Sequence, residues 1–167
     1  GAREFFVHAP LAHAFFLSLI VWGAEKKYIS SGYGAGADIS FQLLHRYVQP
    51  YFSTNFLIAN GVERLSSMSF FGFDGGLSFN FAFGTNLITY LKAIEIRPIL
   101  GSGFQTGTIR AAYHINFLVT TFFGGIIGDF YVHEQFSVAV AIKQHILFES
   151  ETSLKVFTMQ VGMGYRL

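Results

Sequence analysis

The chain has 167 residues, no cysteine and a formal net charge of +1 at pH 7, and 51% of its residues are hydrophobic against 13% charged. This length allows one domain with a sizeable core, and the near-neutral charge excludes the basic footprint of a nucleic-acid-binding protein. Without cysteine, no function can depend on a disulfide, a catalytic thiol or a thiolate metal site. A soluble domain carries about 25% charged residues, so this chain is short of charge for a water-facing surface.

The first 24 residues differ from the rest of the chain. Arg3 precedes the apolar run Ala14–Ala24, which is too short to span a bilayer as a helix. A basic start, an apolar core and a small-residue end are typical of a secretory signal peptide, with cleavage after Ala24. A first strand or an interfacial segment is the alternative. The sequence therefore predicts a signal peptide or N-terminal segment at 1–24 and one barrel domain at 25–167.

The stretch 71–83 has the clearest pattern in the chain. Its odd positions are all Phe except Gly75 and Leu77, whereas its even positions, among them Asp74 and Asn80, are small or polar. Alternate side chains of a β-strand point to opposite faces, so the stretch predicts a strand with one apolar face and one small, polar face. Such a strand suits a barrel wall that has lipid outside and a narrow polar interior.

Seven further runs alternate in the same way, at 28–43, 47–58, 87–100, 109–117, 118–132, 136–145 and 155–167. Most have the length of about 9–11 residues, or somewhat more, that a strand needs to cross a membrane. The sequence therefore predicts an all-β fold, a transmembrane antiparallel up-and-down β-barrel of eight strands. Ten shorter strands are the alternative, because the run at 118–132 is irregular.

Between the runs, glycine and polar residues predict the connections. Gly84–Asn86 and His133–Gln135 are predicted as tight turns, and the motif GSGFQTG at 101–107 as a flexible loop. The irregular run owes its weakness to apolar residues on both faces. Its alternation is broken at Phe123, Ile127 and Tyr131.

Charged residues on the polar faces would point into the barrel. A barrel of about eight strands has an interior that side chains just fill, and an unpaired charge buried there is costly. We therefore predict a network of ion pairs that plugs the lumen. A small conducting pore lined by the same groups is the alternative. The predicted network comprises Asp38, Asp74, Glu95, Arg97, Arg110, His114, Asp129, Lys143 and His145.

The last eight residues resemble the terminal assembly signal of bacterial outer-membrane barrels. That signal has a polar residue, a glycine and two hydrophobic residues at fixed spacing, and Gln160, Gly162, Tyr165 and Leu167 fill these positions. The family usually ends on an aromatic residue, so Leu167 is a mild departure. By pattern, residues 28–167 resemble the small outer-membrane barrels of the opacity-protein and outer-membrane-protein-A transmembrane-domain type.

This resemblance implies a location in the bacterial outer membrane. The partners it implies are outer-membrane lipid and lipopolysaccharide, the barrel-assembly machinery and a protein partner in the envelope. The role it implies is structural, in envelope integrity or in a larger assembly. The fold is implied more strongly than any activity, since the resemblance is one of pattern.

Two other classes of function are open to the sequence. A lipid-modifying enzyme would need a nucleophile and a base in hydrogen-bond reach, and the candidate pairs are His133 with Ser137, and His145 with Ser150 or Ser153. Neither histidine lies in a recognisable motif, and no metal-ligand spacing is evident, so we predict no enzyme, cofactor or metal site. A soluble lipid-binding barrel would turn its Phe faces inward and carry dense surface charge, whereas here the other face is mostly Gly, Ser, Ala and Asn.

Overall fold

A computed structural model of the protein describes residues 19–23, 29–41, 47–61, 67–84, 91–110, 114–148 and 153–166. The regular structure of these ranges is entirely β, and they contain no helix with the length and hydropathy to cross a membrane. The strands are β1 (Leu19–Gly23), β2 (Ile29–Ser40), β3 (Val48–Gly61), β4 (Ser67–Phe79), β5 (Phe81–Gly84), β6 (Ala93–Arg110), β7 (His114–Tyr131), β8 (Phe136–Phe148) and β9 (Ser153–Tyr165).

The strands form one antiparallel sheet that closes on itself. Neighbours along the chain pair from β1 to β4 and from β6 to β9, while β4 pairs with β6 and β9 pairs with β1. The short strand β5 continues β4 along the same edge of β6, after a break at Asn80. Eight wall strands are thus paired on both sides, which confirms the predicted eight-stranded up-and-down barrel.

The antiparallel order gives the barrel two distinct ends. β1 begins and β9 ends at one of them, which we call the terminal end. The turn at 132–135 between β7 and β8 lies at the terminal end, and β5 ends there at Gly84. The remaining residues of the turn predicted at Gly84–Asn86 fall outside the described residues. At the opposite end, which we call the far end, β6 ends at Arg110 and β7 begins at His114.

The first wall strand lies inside the segment predicted as a signal peptide. Leu19–Gly23 pairs over its whole length with Val156–Gln160 of β9, and Val21 pairs with Gly32 of β2. Leu19–Gly23 is therefore a strand of the wall in this structure, and a signal peptide or N-terminal segment at 1–24 stays a prediction. Residues 1–18, where the basic start of the predicted signal lies, fall outside the described residues.

Large apolar side chains cover the outside of the barrel. Phe73 is 55% exposed and its cross-strand partner Phe104 is 58% exposed, whereas the alternate side chain of Asp74 is buried in the lumen. An apolar surface of this extent would be unusual on a soluble monomer. It suits a wall that faces hydrocarbon. The exposed phenylalanines are Phe52, Phe56, Phe71, Phe73, Phe81, Phe83, Phe104, Phe122, Phe136 and Phe148.

The prediction of a flexible loop at 101–107 is wrong, because this segment is the middle of the 18-residue strand β6. Its glycines allow two backbones to come close together. Gly101 is the cross-strand partner of Gly76, and a Cβ atom on either glycine would collide with backbone atoms of the other strand. Glycine in a strand often marks such a close approach, and here it does not mark a turn.

The predicted number of eight wall strands is confirmed, although two of the predicted strand assignments differ from the structure and offset each other. The described residues of the predicted runs at 87–100, 109–117 and 118–132 belong to only two strands, β6 and β7. The wall strand lost in this way is replaced by β1. Within β7, Phe123, Ile127 and Tyr131 keep the alternation and are buried in the lumen, so their apolar character reflects a partly apolar interior.

Replacing Gly101 by valine should destabilise the barrel, because the new side chain would be forced against the backbone of β4. Overpacking of this kind typically costs about 1–3 kcal/mol or more. We expect a lower urea midpoint for loss of the folded band in unheated gel electrophoresis. The matched control is Ser102→Val on the exposed outer face of the same strand, which should leave the midpoint nearly unchanged. Equal midpoints for the two variants would contradict the close approach.

Candidate functional site

The barrel lumen is the candidate functional site, because it gathers buried charged side chains from five strands. Seven of the nine residues predicted for the lumen lie in it, and none of the seven is more than 5% exposed. They are Asp38, Asp74, Glu95, Arg97, Asp129, Lys143 and His145. Each lies on the inward phase of its strand, so the alternation of the wall positions them all.

The most enclosed ion pair joins Arg97 of β6 and Asp129 of β7. Arg97 Nε lies 2.6 Å from Asp129 Oδ2, and both side chains are 0% exposed. Arg97 Nη1 also donates to Ser40 Oγ of β2 at 3.4 Å, and Ser137 Oγ of β8 donates to Asp129 Oδ1 at 3.3 Å. One guanidinium and one carboxylate thus connect four strands across the lumen.

A second pair closes the lumen at the terminal end. Arg166 Nη2 donates to Glu95 Oε2 at 2.6 Å, and the hydroxyl of Tyr131 donates to the same oxygen at 3.2 Å. The Arg166 guanidinium also lies 4.6 Å from the centre of the Tyr131 ring, a cation–π distance. The sequence prediction missed both partners of Glu95. Arg166 shares the inward face with Gln160 and Gly162, so the alternation of β9 could have found it.

A third group lies in the middle of the barrel. Lys143 Nζ donates to Asp38 Oδ1 at 2.9 Å and to the hydroxyl of Tyr51 at 2.6 Å. That hydroxyl in turn donates to Asp38 Oδ1 at 2.7 Å, and the Tyr51 side chain is 0% exposed. The sequence prediction missed Tyr51, since a tyrosine on an inward face has no charge to draw attention to it.

The fourth pair joins β4 and β8. His145 Nε2 lies 2.8 Å from Asp74 Oδ2, and the imidazole stacks on the ring of Phe123 at 5.6 Å. Ser53 and Asn55 of β3 also donate to Asp74 Oδ2, at 3.4 Å and 3.3 Å. Every predicted carboxylate in the lumen therefore has a basic partner within 3 Å.

Beyond the fourth pair, towards the far end, the lumen becomes apolar. We call this cluster the apolar cap, and its buried members are Leu57, Met68, Phe70, Leu147 and Val156, with Ile109, Phe117 and Val119 packed against them. A cavity of about 20 Å³ separates the cap from Lys143 and His145. Such a space is large enough for a water molecule. Along the barrel axis, the polar pairs thus occupy the lumen from the terminal end to its middle, and the apolar cap occupies it towards the far end.

The prediction that Arg110 and His114 face the lumen is wrong. Both side chains are exposed on the outer face, where Arg110 and His114 are cross-strand partners at the far end. The error arose because GSGFQTG was predicted to be a loop. The inward and outward positions could then not be counted from Arg97 to Arg110 along one continuous strand. Because the inward positions of β6 are odd throughout, Ile109 faces the lumen and Arg110 does not.

The residues of the predicted assembly signal lie along β9. Gln160 and Gly162 are buried towards the lumen, while Tyr165 is partly buried and its ring lies 5.0 Å from that of Phe136. Leu167 falls outside the described residues. The strand places the signal beside β8 and β1, but recognition by an assembly machinery stays a prediction.

The candidate catalytic pairs do not form a nucleophile–base contact where their side chains are described. His133 is exposed in the turn between β7 and β8, whereas the hydroxyl of Ser137 is buried and donates to Asp129. The side chains of Ser150 and Ser153 lie outside the described part of the chain. Over the described ranges, no group of three or more His, Asp or Glu residues is placed to hold a metal ion.

No protein-family model matches the chain, and no curated protein matches it significantly. Solved structures do match over nearly the whole length. The attachment invasion locus protein Ail of Yersinia pestis gives a TM-score of 0.62 at 14% identity, covering 95% of this chain and 99% of that one. Neisserial surface protein A gives 0.59 at 7% identity, covering 93% and 96%.

The N-terminal β-barrel domain of Pseudomonas aeruginosa OprF gives a TM-score of 0.57 at 13% identity, covering 96% of this chain and 100% of that domain. All three are small outer-membrane β-barrels of the outer-membrane-protein-A and opacity-protein type. At these identities the likeness establishes the fold. The chain therefore has the eight-stranded fold of the small bacterial outer-membrane β-barrels, as its sequence pattern implied.

Proposed function

We propose that the protein is an integral barrel of the bacterial outer membrane that acts as a filled scaffold, in envelope integrity or as a member of a larger assembly. The observation that carries the proposal is the set of three ion pairs and one histidine–aspartate contact buried in the lumen. The fold shared with outer-membrane barrels and the apolar outer surface support the location. The barrel-assembly machinery, lipopolysaccharide and an envelope protein are the partners that this proposal requires.

The energetics of the lumen favour a permanent plug. Removing charges from water costs several kcal/mol per ion, and this cost is offset only by good geometry and further hydrogen bonds. Arg97 and Asp129 contact each other directly and each bonds a serine on another strand, while Arg97 Nη2 is buried without a hydrogen-bond partner among the described residues. A side chain held in this way has little freedom to swing aside and let an ion pass.

The alternative of a small pore would need a continuous polar path through the barrel. The apolar cap opposes it, because Leu57, Phe70 and Leu147 occupy the lumen beyond the last ion pair. The alternative of a soluble lipid-binding barrel would need the opposite orientation of the wall. Its apolar residues would have to line the interior, whereas Phe73 and Phe104 point outward and Asp74 points inward.

Single-channel recording of the refolded protein in a planar bilayer tests the filled lumen. We expect no steady, discrete openings, since side chains block the lumen along its length. Insertion must be shown separately, by the shift of the folded band in unheated gel electrophoresis. Regular openings from inserted protein would overturn the filled scaffold in favour of a pore. A chain that fails to enter the bilayer would instead favour the soluble barrel.

Replacing Arg97 by methionine should destabilise the barrel strongly, because Asp129 would keep a buried charge without its partner. Removing one member of a buried pair typically costs about 3–5 kcal/mol. The measurement is urea unfolding followed by the fluorescence of Trp22, the single tryptophan of the chain. Substituting both members, as Arg97→Met with Asp129→Leu, should recover most of the loss.

The matched control for this experiment is Arg110→Met. Arg110 is the same residue type on the same strand, but it is exposed on the outer face. An exposed ionic contact contributes about 0–1 kcal/mol, so the control should stay close to the parent protein. A similar loss for both arginines would contradict the plugged lumen.

A further inference from the structure

Near the far end, the outer face of the wall becomes polar and the inner face becomes apolar. Along β6, the outward side chain of Phe104 is followed by those of Thr106, Thr108 and Arg110. At the same level the inward side chain of Ile109 packs against the apolar cap. Towards the terminal end, the outer face of the wall is apolar and the inner face is polar. The pattern therefore inverts within one continuous strand.

The neighbouring strands invert at the same level. Thr108 pairs with Ser69 of β4 and with Asn116 of β7, and its hydroxyl donates to Asn116 Oδ1 at 2.9 Å on the outer face. One step further out, Arg110 pairs with Ser67 and His114. These outward residues form one surface, which we call the polar patch: Ser67, Ser69, Thr108, Arg110, His114 and Asn116.

The inversion indicates what lies outside this part of the wall. Apolar side chains are driven to the side away from water, and within hydrocarbon no such force draws them to the inside of a protein. A wall whose inner face is apolar and whose outer face is polar therefore stands in a polar medium. At β4, β6 and β7 the inversion indicates that the hydrocarbon layer ends below the polar patch, near the level of Thr106.

The terminal end shows no such exchange. Phe81 of β5 and Phe136 of β8 are exposed near the ends of their strands, while Ser137 and Glu95 are buried in the lumen beside them. Apolar side chains outside and polar ones inside thus continue to this end. For the proposed membrane barrel, this difference indicates that the far end projects further from the hydrocarbon than the terminal end does.

We propose that the polar patch is a surface that contacts lipid headgroups in the leaflet at the far end. Thr108 lies two residues beyond Thr106, or about 7 Å along the strand. A headgroup layer is about 5–8 Å thick on each side of the hydrocarbon, so the patch falls within it. Its hydroxyl, amide and guanidinium groups suit the phosphate and hydroxyl groups of headgroups. This inference rests on the proposed membrane barrel.

Nitroxide labels at single cysteines test the proposal, since the parent chain has no cysteine to interfere. Thr108→Cys and Asn116→Cys place labels in the polar patch. Leu100→Cys on β6 and Ile142→Cys on β8 place matched labels on the exposed apolar surface. The full chain is refolded into phosphatidylcholine vesicles that contain a small share of a lipid with a nickel-chelating headgroup, and folding is checked by unheated gel electrophoresis.

We expect headgroup-bound nickel to enhance the spin relaxation of the two nitroxide labels in the polar patch several-fold more than oxygen does. At the labels on Leu100→Cys and Ile142→Cys, we expect oxygen to enhance the relaxation more than nickel does. Dominance of oxygen at the patch would place it in hydrocarbon and overturn the inference. Relaxation of the patch by a soluble nickel chelate alone would place it in free water, and would overturn the headgroup contact. If oxygen fails at Leu100→Cys and Ile142→Cys, the membrane barrel itself is wrong.

Discussion

The structure depends on one constraint, which is that a backbone amide placed in hydrocarbon must find its hydrogen-bond partner inside the protein. Closure of the sheet meets this constraint, because the pairing of β1 with β9 and of β4 with β6 leaves each wall strand with a neighbour on both sides. Once the wall is closed, alternation divides every strand into a lipid face and a lumen face. The exposed phenylalanines and the buried carboxylates are two results of that one division.

The lumen shows how a narrow barrel handles charge. Its carboxylates lie far from their basic partners in the sequence, as with Asp38 and Lys143, or Glu95 and Arg166. The contacts of Asp38, Asp74 and Glu95 tie strands that are not neighbours in the backbone ladder, whereas the pair of Arg97 and Asp129 joins the adjacent strands β6 and β7. Tyr51 and Tyr131 add hydroxyl groups where a carboxylate oxygen needs a further donor. The same residues that fill the space also fix how the wall strands stand opposite one another.

Much of this fold can be predicted from the sequence, because period-two alternation is a direct consequence of strand geometry. It predicted a strand at 71–83, which the structure divides into β4 and β5 at Asn80, and it placed Lys143 and His145 on the inward face, where the structure has both buried. The prediction failed at GSGFQTG, because glycine occurs both in turns and where two strands come close together. The assignment of inward and outward positions was lost there, so Arg110 and His114 were predicted on the wrong face. β1 was obscured because a membrane strand and a signal peptide are both short and apolar. Which carboxylate meets which base depends on register between distant strands, and no local pattern contains that information.

Closure has a kinetic consequence that follows from the seam between β1 and β9. Leu19 pairs with Gln160, so the contacts that seal the wall join the two extremes of the described chain. Contacts of such long range carry a large loop-closure entropy and slow the search for the native state. Until β9 is in place, β1 and β8 each present an open strand edge, which is prone to association with other chains. A barrel whose seam between β1 and β9 is still open is thus prone to aggregation.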